Sequence, residues 1–380
     1  MKNVSKTSGG KIGFFGHTEG ATIWNVKLHI TSNWSVGGDY VGGLVGYADY
    51  SQLYWNLVTS SSKTITNSGG NGTGGVIGRA DNCSIYDCDN GTSSSNGLAV
   101  KSANTTDANL GGCVGVYWTC NSWSMSPGTN SDGTGSGNVG LGVMQCDNYG
   151  NLTLTATSSS NARNPMGGIV GRMGQKNGTA VSTLRLYSCR NYGSLTYTGT
   201  TQTGGSAGNI GGVAGRFDEG LIGANCVHDL YNSGTITTKC TQTGGIAGVM
   251  YNCSAPFGLR NEGTVSTSGG ANYVGGIVGW CNVVLSGVSN TGSVSGTGTN
   301  IGGIVGCTEN VLNGAAHAIN YWRSTPMDSN GSRQTDTYSF TTTEPGILSL
   351  VWTVSSEGYS LYTYHQRLFP LSSHWNLPPE

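Results

Sequence analysis

The chain has 380 residues, of which 65 are glycine, and only 10% of its residues are charged, with a formal net charge of −1. Glycine at this level, without a Gly-X-Y period and with few prolines, excludes collagen and is unusual for a compact globular domain. The near-neutral charge argues against a nucleic-acid partner, which would need basic patches, and no apolar run is long enough for a membrane span.

The N-terminal residues, MKNVSKTSGGKIGFFG, lack the apolar core and the small-residue cleavage site of a secretory signal. Three explanations stay open: a mature or truncated chain that starts at an added Met1, a cytoplasmic protein, or a virion protein released by lysis. The surface-type composition favours the first, so we expect an extracellular or cell-surface location.

A hexapeptide of the pattern x-Gly-Gly-x-x-Gly recurs along the chain, and its spacing of 27 to 56 residues predicts a stacked repeat architecture. The first glycine of each good copy is Gly42, Gly74, Gly111, Gly167, Gly211, Gly244, Gly275 and Gly302. Degenerate copies are found at Gly13–Gly16 and at Gly140–Gly142. The second of these would divide the 56-residue gap into two units. We expect the paired glycines to lie at tight corners, where successive coils approach each other closely.

A second motif, apolar-x-Asn-x-Gly-x-apolar-Thr/Ser, lies between the hexapeptides. It is spelled CDNYGNLTL (146–154), CRNYGSLTY (189–197), LYNSGTITT (230–238), LRNEGTVST (259–267) and VSNTGSVSG (288–296). Asn and Gly accept left-handed backbone angles, so the motif predicts a turn followed by a short half-buried strand.

Helix signals are almost absent, so each unit is predicted to be two or three short strands that can bury their apolar face only by stacking on a neighbour. The predicted fold is an all-β, right-handed parallel β-solenoid of about nine or ten coils over residues 1–320. A propeller is the alternative, although its blades need longer antiparallel strands.

These motifs resemble a known family. GGLVG, GGVIG, GGIVG, GGVAG and GGIAG, each followed by an apolar-x-Asn-x-Gly strand, are similar to the GLUG-motif repeats of bacterial surface and adhesin-type proteins, and IGFFGHTEGATIWNVKL (12–28) resembles the opening unit of that family. The resemblance covers roughly residues 10–320. It implies a secreted or surface-displayed module with a scaffold or binding role and no catalytic residues in the repeat.

Aromatic residues crowd the first third of the chain and are the main candidate binding residues. Flat rings beside polar neighbours suit the apolar faces of sugars or a protein partner, although several could simply cover the N-terminal end. The candidate binding residues are Trp24, Trp34, Tyr47, Tyr54, Trp55, Trp118 and Trp123.

Eleven cysteines occupy positions that favour burial over metal binding. Cys88, Cys146 and Cys189 stand where later units carry leucine or valine, so we expect an inward-facing ladder of small apolar side chains. Disulfides between adjacent coils stay open. There is no Cys-x-x-Cys zinc pair, and no metal or cofactor is predicted.

Acidic residues raise the possibility of catalysis. Asp89, Asp147 and Arg190 share one phase of the repeat, which could bind Ca²⁺ or substrate but favours an outward ladder of weak ion pairs. Asp218 is predicted to lie in a solvated loop. A polysaccharide-degrading β-helix enzyme would need Asp89, Asp147 or Asp218 to converge in a groove with a basic residue.

Ser and Thr alternate with apolar residues in stretches such as LTLTATSSS and GTITTK. Flat Thr arrays on some solenoids bind ice. Such a role would need a strict Thr-x-Thr ladder on successive coils, of which the sequence displays only fragments.

Beyond about Asn320 the hexapeptide is absent, and residues 321–380 are predicted to form a small C-terminal β cap. The first coil begins by about Ile12, which leaves almost nothing to cap the other end. We therefore expect a non-catalytic extracellular or cell-surface β-solenoid, structural or adhesive, that associates through its coil ends or binds carbohydrate on a host surface. The alternatives are the polysaccharide-degrading enzyme and a phage tail fibre or tailspike.

Overall fold

The structure is a computed structural model. It describes residues 4–6, 8–103, 108–119, 140–156, 164–175, 184–201, 208–218, 226–253, 256–283, 285, 287–308, 352–355 and 358–361. Four parallel sheets form the walls of a β-solenoid, and the chain visits them in the order A, B, C, D in each coil. Sheets A, B and C have nine strands each, which confirms the predicted parallel solenoid of about nine or ten coils.

Sheet A comprises Ser5–Lys6, Trp34–Val36, Thr64–Asn67, Ala99–Ser102, Leu152–Leu154, Leu195–Tyr197, Ile236–Thr238, Val265–Thr267 and Val294–Ser295. Sheet B comprises Lys11–Ile12, Tyr40–Gly42, Gly72–Gly74, Asn109–Gly111, Met166–Gly167, Ile210–Gly211, Thr243–Gly244, Val274–Gly275 and Ile301–Gly302.

Sheet C comprises Phe15–Glu19, Val45–Asp49, Ile77–Asp81, Val114–Thr119, Val170–Gln175, Ala214–Phe217, Ala247–Met250, Val278–Cys281 and Val305–Thr308. Sheet D comprises Thr22–Trp24, Lys27–Ile30, Gln52–Ser60, Ser84–Asn90, Gly142–Met144, Asp147–Asn148, Arg185–Tyr187, Arg190–Asn191, Val227–Asn232, Phe257–Asn261 and Ser289–Asn290.

The 56-residue gap between hexapeptides is a single coil, so the predicted copy at Gly140–Gly142 is wrong. Gly111 pairs directly with Gly167 in sheet B, whereas Gly142 lies in sheet D opposite Ser84. The extra length is an insertion between sheets C and D of this coil. The sequence around Gly142 resembles the motif, but its strand belongs to sheet D, whereas the paired glycines of the true copies lie between sheets B and C.

The paired glycines lie at the corner between sheets B and C, as predicted, and the second of each pair touches the next coil. A Cβ on Gly212 would lie 2.0 Å from the carbonyl oxygen of Gly245, and one on Gly245 would lie 2.0 Å from that of Gly276. No side chain fits at this distance. Glycine is therefore required here for close approach between coils.

The asparagine of the second motif points into the interior and forms a ladder through six coils. Each side-chain amide donates to the amide oxygen of the next, at 2.7 to 2.9 Å. Its members are Asn90, Asn148, Asn191, Asn232, Asn261 and Asn290. From Asn148 onward each amide also donates to the carbonyl of the glycine two residues later.

The predicted reason for this motif is corrected by these contacts. Gly193 and Gly234 do not have positive φ; a Cβ on Gly234 would instead lie 2.0 Å from the Gly193 carbonyl oxygen. The two sequence motifs also meet, because a Cβ on Gly212 would lie 2.4 Å from the amide carbon of Asn232. We call the asparagine ladder, together with the paired glycines beside it, the interior seam.

Left-handed residues recur elsewhere, in the middle of sheet D. In eight coils the residue at one equivalent position has a φ between 51° and 67°, namely Asn25, Trp55, Asp87, Gln145, Ser188, Asp229, Gly258 and Gly287. This kink divides the wall into two strips. It also separates several of the short strand pairs, such as Arg185–Tyr187 and Arg190–Asn191.

The cysteine positions agree with the predicted ladder. Cys88, Cys146 and Cys189 are buried with no exposed surface, in one column of sheet D. Burial raises the pKa of the Cys88 thiol to about 12, so this sulfur is protonated and behaves as a small apolar side chain. Cys120 lies outside the described residues.

Most of the predicted C-terminal cap lies outside the described residues. Within it, Trp352–Ser355 pairs with Gly358–Leu361 as an antiparallel hairpin. This differs from the parallel strands of the coils. The capping role stays a prediction.

Candidate functional site

One register position of sheet D carries a large side chain in each of seven successive coils. Six of these side chains are at least partly exposed, and the seventh, Met144, is buried. Strand register aligns Trp24 with Tyr54, Tyr54 with Tyr86, and so on along the wall. We call this set the aromatic row: Trp24, Tyr54, Tyr86, Met144, Tyr187, His228 and Phe257.

The two ends of the row present their rings differently. Tyr187 and His228 stack face to face at 4.9 Å, and His228 and Phe257 do so at 5.1 Å, so these rings cover one another's faces. At the other end, Trp24 and Trp55 pack edge to face at 6.3 Å. Edge-to-face pairs leave ring faces open, which is the geometry that a flat ligand needs.

Four rings at this end form a continuous cluster, here called the aromatic patch: Trp24, Tyr54, Trp55 and Tyr86. Trp55 contacts the other three, at centroid distances of 6.2 to 6.4 Å. Its left-handed backbone, with a φ of 54°, places it beside the row rather than in it. Trp24 is 53% exposed, an unusual exposure for a tryptophan.

The seven predicted binding residues are divided among different surroundings. Trp24, Tyr54 and Trp55 come together in the aromatic patch. Tyr47 and Trp118 lie in sheet C. Trp34 is 1% exposed and belongs to the core, so its prediction as a surface residue is wrong. Its strand alternates, with Ser35 facing outward and Trp34 inward. Trp123 lies outside the described residues.

The polar groups of sheet C are engaged with one another. Tyr47 donates to Asp81 at 3.0 Å, and Arg79 donates to the same carboxylate at 2.6 and 2.8 Å. Burial, followed by the Asp81 charge, raises the pKa of the Tyr47 hydroxyl, which stays protonated as the donor. The Tyr47–Asp81 bond joins adjacent coils, whereas Arg79 and Asp81 lie on one strand, and all three side chains are thereby engaged with one another.

A second ion cluster of sheet C contains Asp218, which was predicted to lie in a solvated loop. Its carboxylate instead accepts from Arg172 at 2.5 Å and from Arg216 at 2.6 Å. The Arg172 guanidinium lies over the Trp118 ring at 4.7 Å. Asp218 is thus neutralised by two arginines from its own wall.

Asp89, Asp147 and Arg190 share one outward column of sheet D, beside the aromatic row, as predicted. Asp147 lies opposite Arg190, and the Asp147 backbone N–H donates to an Asp89 carboxylate oxygen at 2.8 Å. Desolvation, with repulsion from Asp87, raises the pKa of Asp89 to about 7 and that of Asp147 to about 6. These two carboxyls are therefore adjacent and titrate near neutral pH.

The sequence analysis does not predict the four other ring-bearing members of the aromatic row, Tyr86, Tyr187, His228 and Phe257. Each lies four residues before an asparagine of the interior ladder, so the signal was present in the repeat itself. These four rings are spread over 172 residues, so they form no cluster in the sequence and are related only by their position in the repeat.

Among the described residues, no group of His, Cys, Asp and Glu side chains is arranged to hold a metal ion. No helix in the part of the chain that the structure describes is long and apolar enough to cross a membrane. Comparisons with protein-family models, with characterised proteins and with solved structures found no match.

Proposed function

We propose that the protein is a non-catalytic β-solenoid of the cell surface or extracellular space, which serves as a structural or adhesive module and binds carbohydrate at the aromatic patch. The observation that carries this proposal is the cluster of open rings on one wall, centred on Trp55. The resemblance of the repeat to GLUG motifs supports the cell-surface or extracellular location and the scaffold role.

The chemistry of the patch fits a sugar ligand. The C–H faces of a pyranose pack on aromatic faces, and the hydroxyls at its rim need polar partners. Trp24 and Trp55 offer the rings, while the column beside the row adds Lys27 in the same coil as Trp24 and Asp89 in the same coil as Tyr86. A linear glycan lying along the solenoid axis would contact several coils at once.

The test is glycan binding by the purified chain, measured by array screening and then by calorimetry on the best ligand. Trp24→Ala with Trp55→Ala should weaken binding by about 2 kcal/mol or more, roughly thirtyfold, because buried aromatic anchors dominate such sites. Trp280→Ala is the matched control, since Trp280 is half-buried on sheet C and stacks on Tyr251. Equal loss in both variants, or no glycan binding by the native chain, would contradict the proposal.

A second candidate function is polysaccharide cleavage by Asp89 and Asp147. The specific observation in its favour is their adjacency, with one pKa at about 7 and the other at about 6. One carboxyl could then donate a proton while the other acts as base or nucleophile. Reducing-end release from the bound glycan, abolished in both Asp89→Asn and Asp147→Asn, would replace the non-catalytic proposal with this one.

The oligomeric state of the protein distinguishes an adhesive module, a subunit that associates end to end and a phage tail fibre. Association through coil ends is supported by Phe14, which is 49% exposed in the first coil. A phage tail fibre or tailspike would be a trimer. Sedimentation velocity on the full chain would give a monomer for an adhesive module, a concentration-dependent series for end-to-end association, and a stable trimer for a tail fibre.

A further inference from the structure

Two arginines from successive coils of sheet C share a single carboxylate. Strand register aligns Arg172 with Arg216, and each donates from its Nε atom to Asp218, at 2.5 and 2.6 Å. We call these three residues the arginine cluster. Two guanidiniums against one carboxylate leave it with a net charge of +1. Lys176 and Glu219, which lie outside the described residues, carry opposite charges and together do not alter this sum.

The residues around the arginine cluster do not neutralise its charge. In sheet C the register partners on either side of the two arginines are Val116 and Val249. On the side of sheet B, Arg216 donates from Nη1 to the Asn209 side chain at 3.3 Å, and Asn209 donates to the Gln242 side chain at 2.5 Å. These neighbours are apolar groups and uncharged amides, so the excess positive charge stays on the cluster.

Part of each guanidinium has no hydrogen-bond partner within the described part of the chain. The two Nη atoms of Arg172 and the Nη2 atom of Arg216 donate to no residue that the structure describes. The side chains of the two arginines are only 18% and 14% exposed, so these donors have limited contact with water. A half-buried positive charge with open donors favours an anion that supplies the missing acceptors.

The arginine cluster is held in place before any ligand arrives. The Arg172 guanidinium lies over the Trp118 ring at 4.7 Å, and Asp218 holds its Nε edge. Gly174, the register partner of Trp118, leaves room for this arrangement. A Cβ on Gly174 would lie 2.7 Å from the Asp218 Cβ and 3.2 Å from the Trp118 ring. Because the arginines are already ordered, a ligand loses little affinity to the entropy of fixing them.

We propose that the arginine cluster binds a carboxylate group, carried by a uronic acid residue of an acidic polysaccharide. A carboxylate supplies one negative charge, which equals the excess, and its two coplanar oxygens match the planar fork of a guanidinium. A phosphate monoester carries nearly two negative charges and would leave the cluster with an excess of the opposite sign. This site lies on sheet C and does not depend on the aromatic patch of sheet D.

A peptide carboxylate fits this surface less well than a sugar carboxylate. Extended peptides bind to sheets by adding a strand at a free edge. The strand that carries Arg172 is paired on both sides, with Val114–Thr119 and with Ala214–Phe217. The strand that carries Arg216 is likewise paired on its other side, with Ala247–Met250. The backbone offers no free edge here, so recognition depends on side chains alone.

The experiment measures binding of an oligogalacturonate by calorimetry at low salt, with its methyl ester as the neutral counterpart. We expect the native chain to bind the acid at least about tenfold more tightly than the ester, because esterification removes the charge and keeps the sugar. Arg172→Gln should weaken binding of the acid by a similar factor. Arg79→Gln is the matched control and should leave it unchanged, since Arg79 lies in the same column of sheet C but is paired one to one with Asp81.

Each measurement is repeated in the Trp24→Ala, Trp55→Ala background, which removes the aromatic patch and separates this proposal from the proposed function. Melting curves establish that the variants are folded, and the comparison of acid with ester needs only the native chain. No binding of the acid, equal affinity for acid and ester, or equal loss in Arg79→Gln and Arg172→Gln would overturn the proposal. Binding of poly-glutamate but not of oligogalacturonate would also overturn it and assign the cluster to an acidic peptide.

Discussion

The interior seam and the outward faces come from the same coils, yet they differ in how strictly they repeat. Along the seam Asn191 contacts Asn232, which contacts Asn261, always through the same amide bond. On the outside, the aromatic row changes from Met144 to Tyr187 to His228 in three successive coils. Close contacts between coils allow only one residue type at each position of the seam, whereas solvent outside the solenoid does not restrict the residue type. The seam therefore explains the stacking, and the outer faces are where function can vary.

The largest expected effect is a clash in the seam. Gly212→Ala puts a Cβ 2.0 Å from the Gly245 carbonyl oxygen, and because backbone on both sides must move, we expect a loss of about 4 kcal/mol or more in unfolding free energy. The control is Gly20→Ala, which has positive φ but nothing within 4 Å and should cost about 1 kcal/mol. Urea unfolding measures both. Comparable losses would mean that glycine serves conformation rather than close approach.

Removing one amide from the ladder should cost less. Asn191→Ala leaves the Asn148 donor and the Asn232 acceptor without this partner inside the solenoid, at roughly 3 kcal/mol. Asn290 is half-buried at the end of the ladder, so Asn290→Ala should cost about 1 kcal/mol. If the two substitutions had equal effects in urea unfolding, the ladder would not be a cooperative element.

A pH effect on the outer face should be smaller. Asp89 binds its proton more tightly when folded, with a pKa of about 7 against an ordinary value of 3.8, so the free energy of unfolding falls as pH rises from about 4 to about 7. The slope is at most about 1.4 kcal/mol per pH unit for this carboxyl, and partial solvation reduces it. Asp89→Asn should flatten the dependence of the melting temperature on pH. An unchanged slope would contradict the raised pKa.

Much of the fold could be predicted from the sequence because its strongest constraints are local and repeated. The Gly-Gly corners and the buried cysteine column follow from phase alone. The reason for Asn-x-Gly could not be predicted, since the amide of Asn148 meets Asn191 only after stacking, 43 residues away. The false copy at Gly140–Gly142 has the same cause, because a short sequence motif does not show which sheet its strand joins.

The candidate sites were predicted less completely, for a related reason. Trp24, Tyr54 and Trp55 were found because they lie close in sequence as well as in space. Phe257 belongs to the same row but is separated from Trp24 by more than half of the chain. Trp34 lies in a strand of only three residues, which is too short for its inward-outward alternation to be recognised from the sequence.

Every surface in this account depends on the register between coils, and one cross-linking measurement tests it directly. Lys101 and Thr153 are register partners across the long insertion. In the double variant Lys101→Cys, Thr153→Cys, the two Cα atoms should lie about 5 Å apart, within disulfide range, so mild oxidation should join them rapidly. The pair Lys101→Cys, Thr196→Cys spans two coils and should not react. Efficient cross-linking of the second pair, or none of the first, would contradict the nine-coil register.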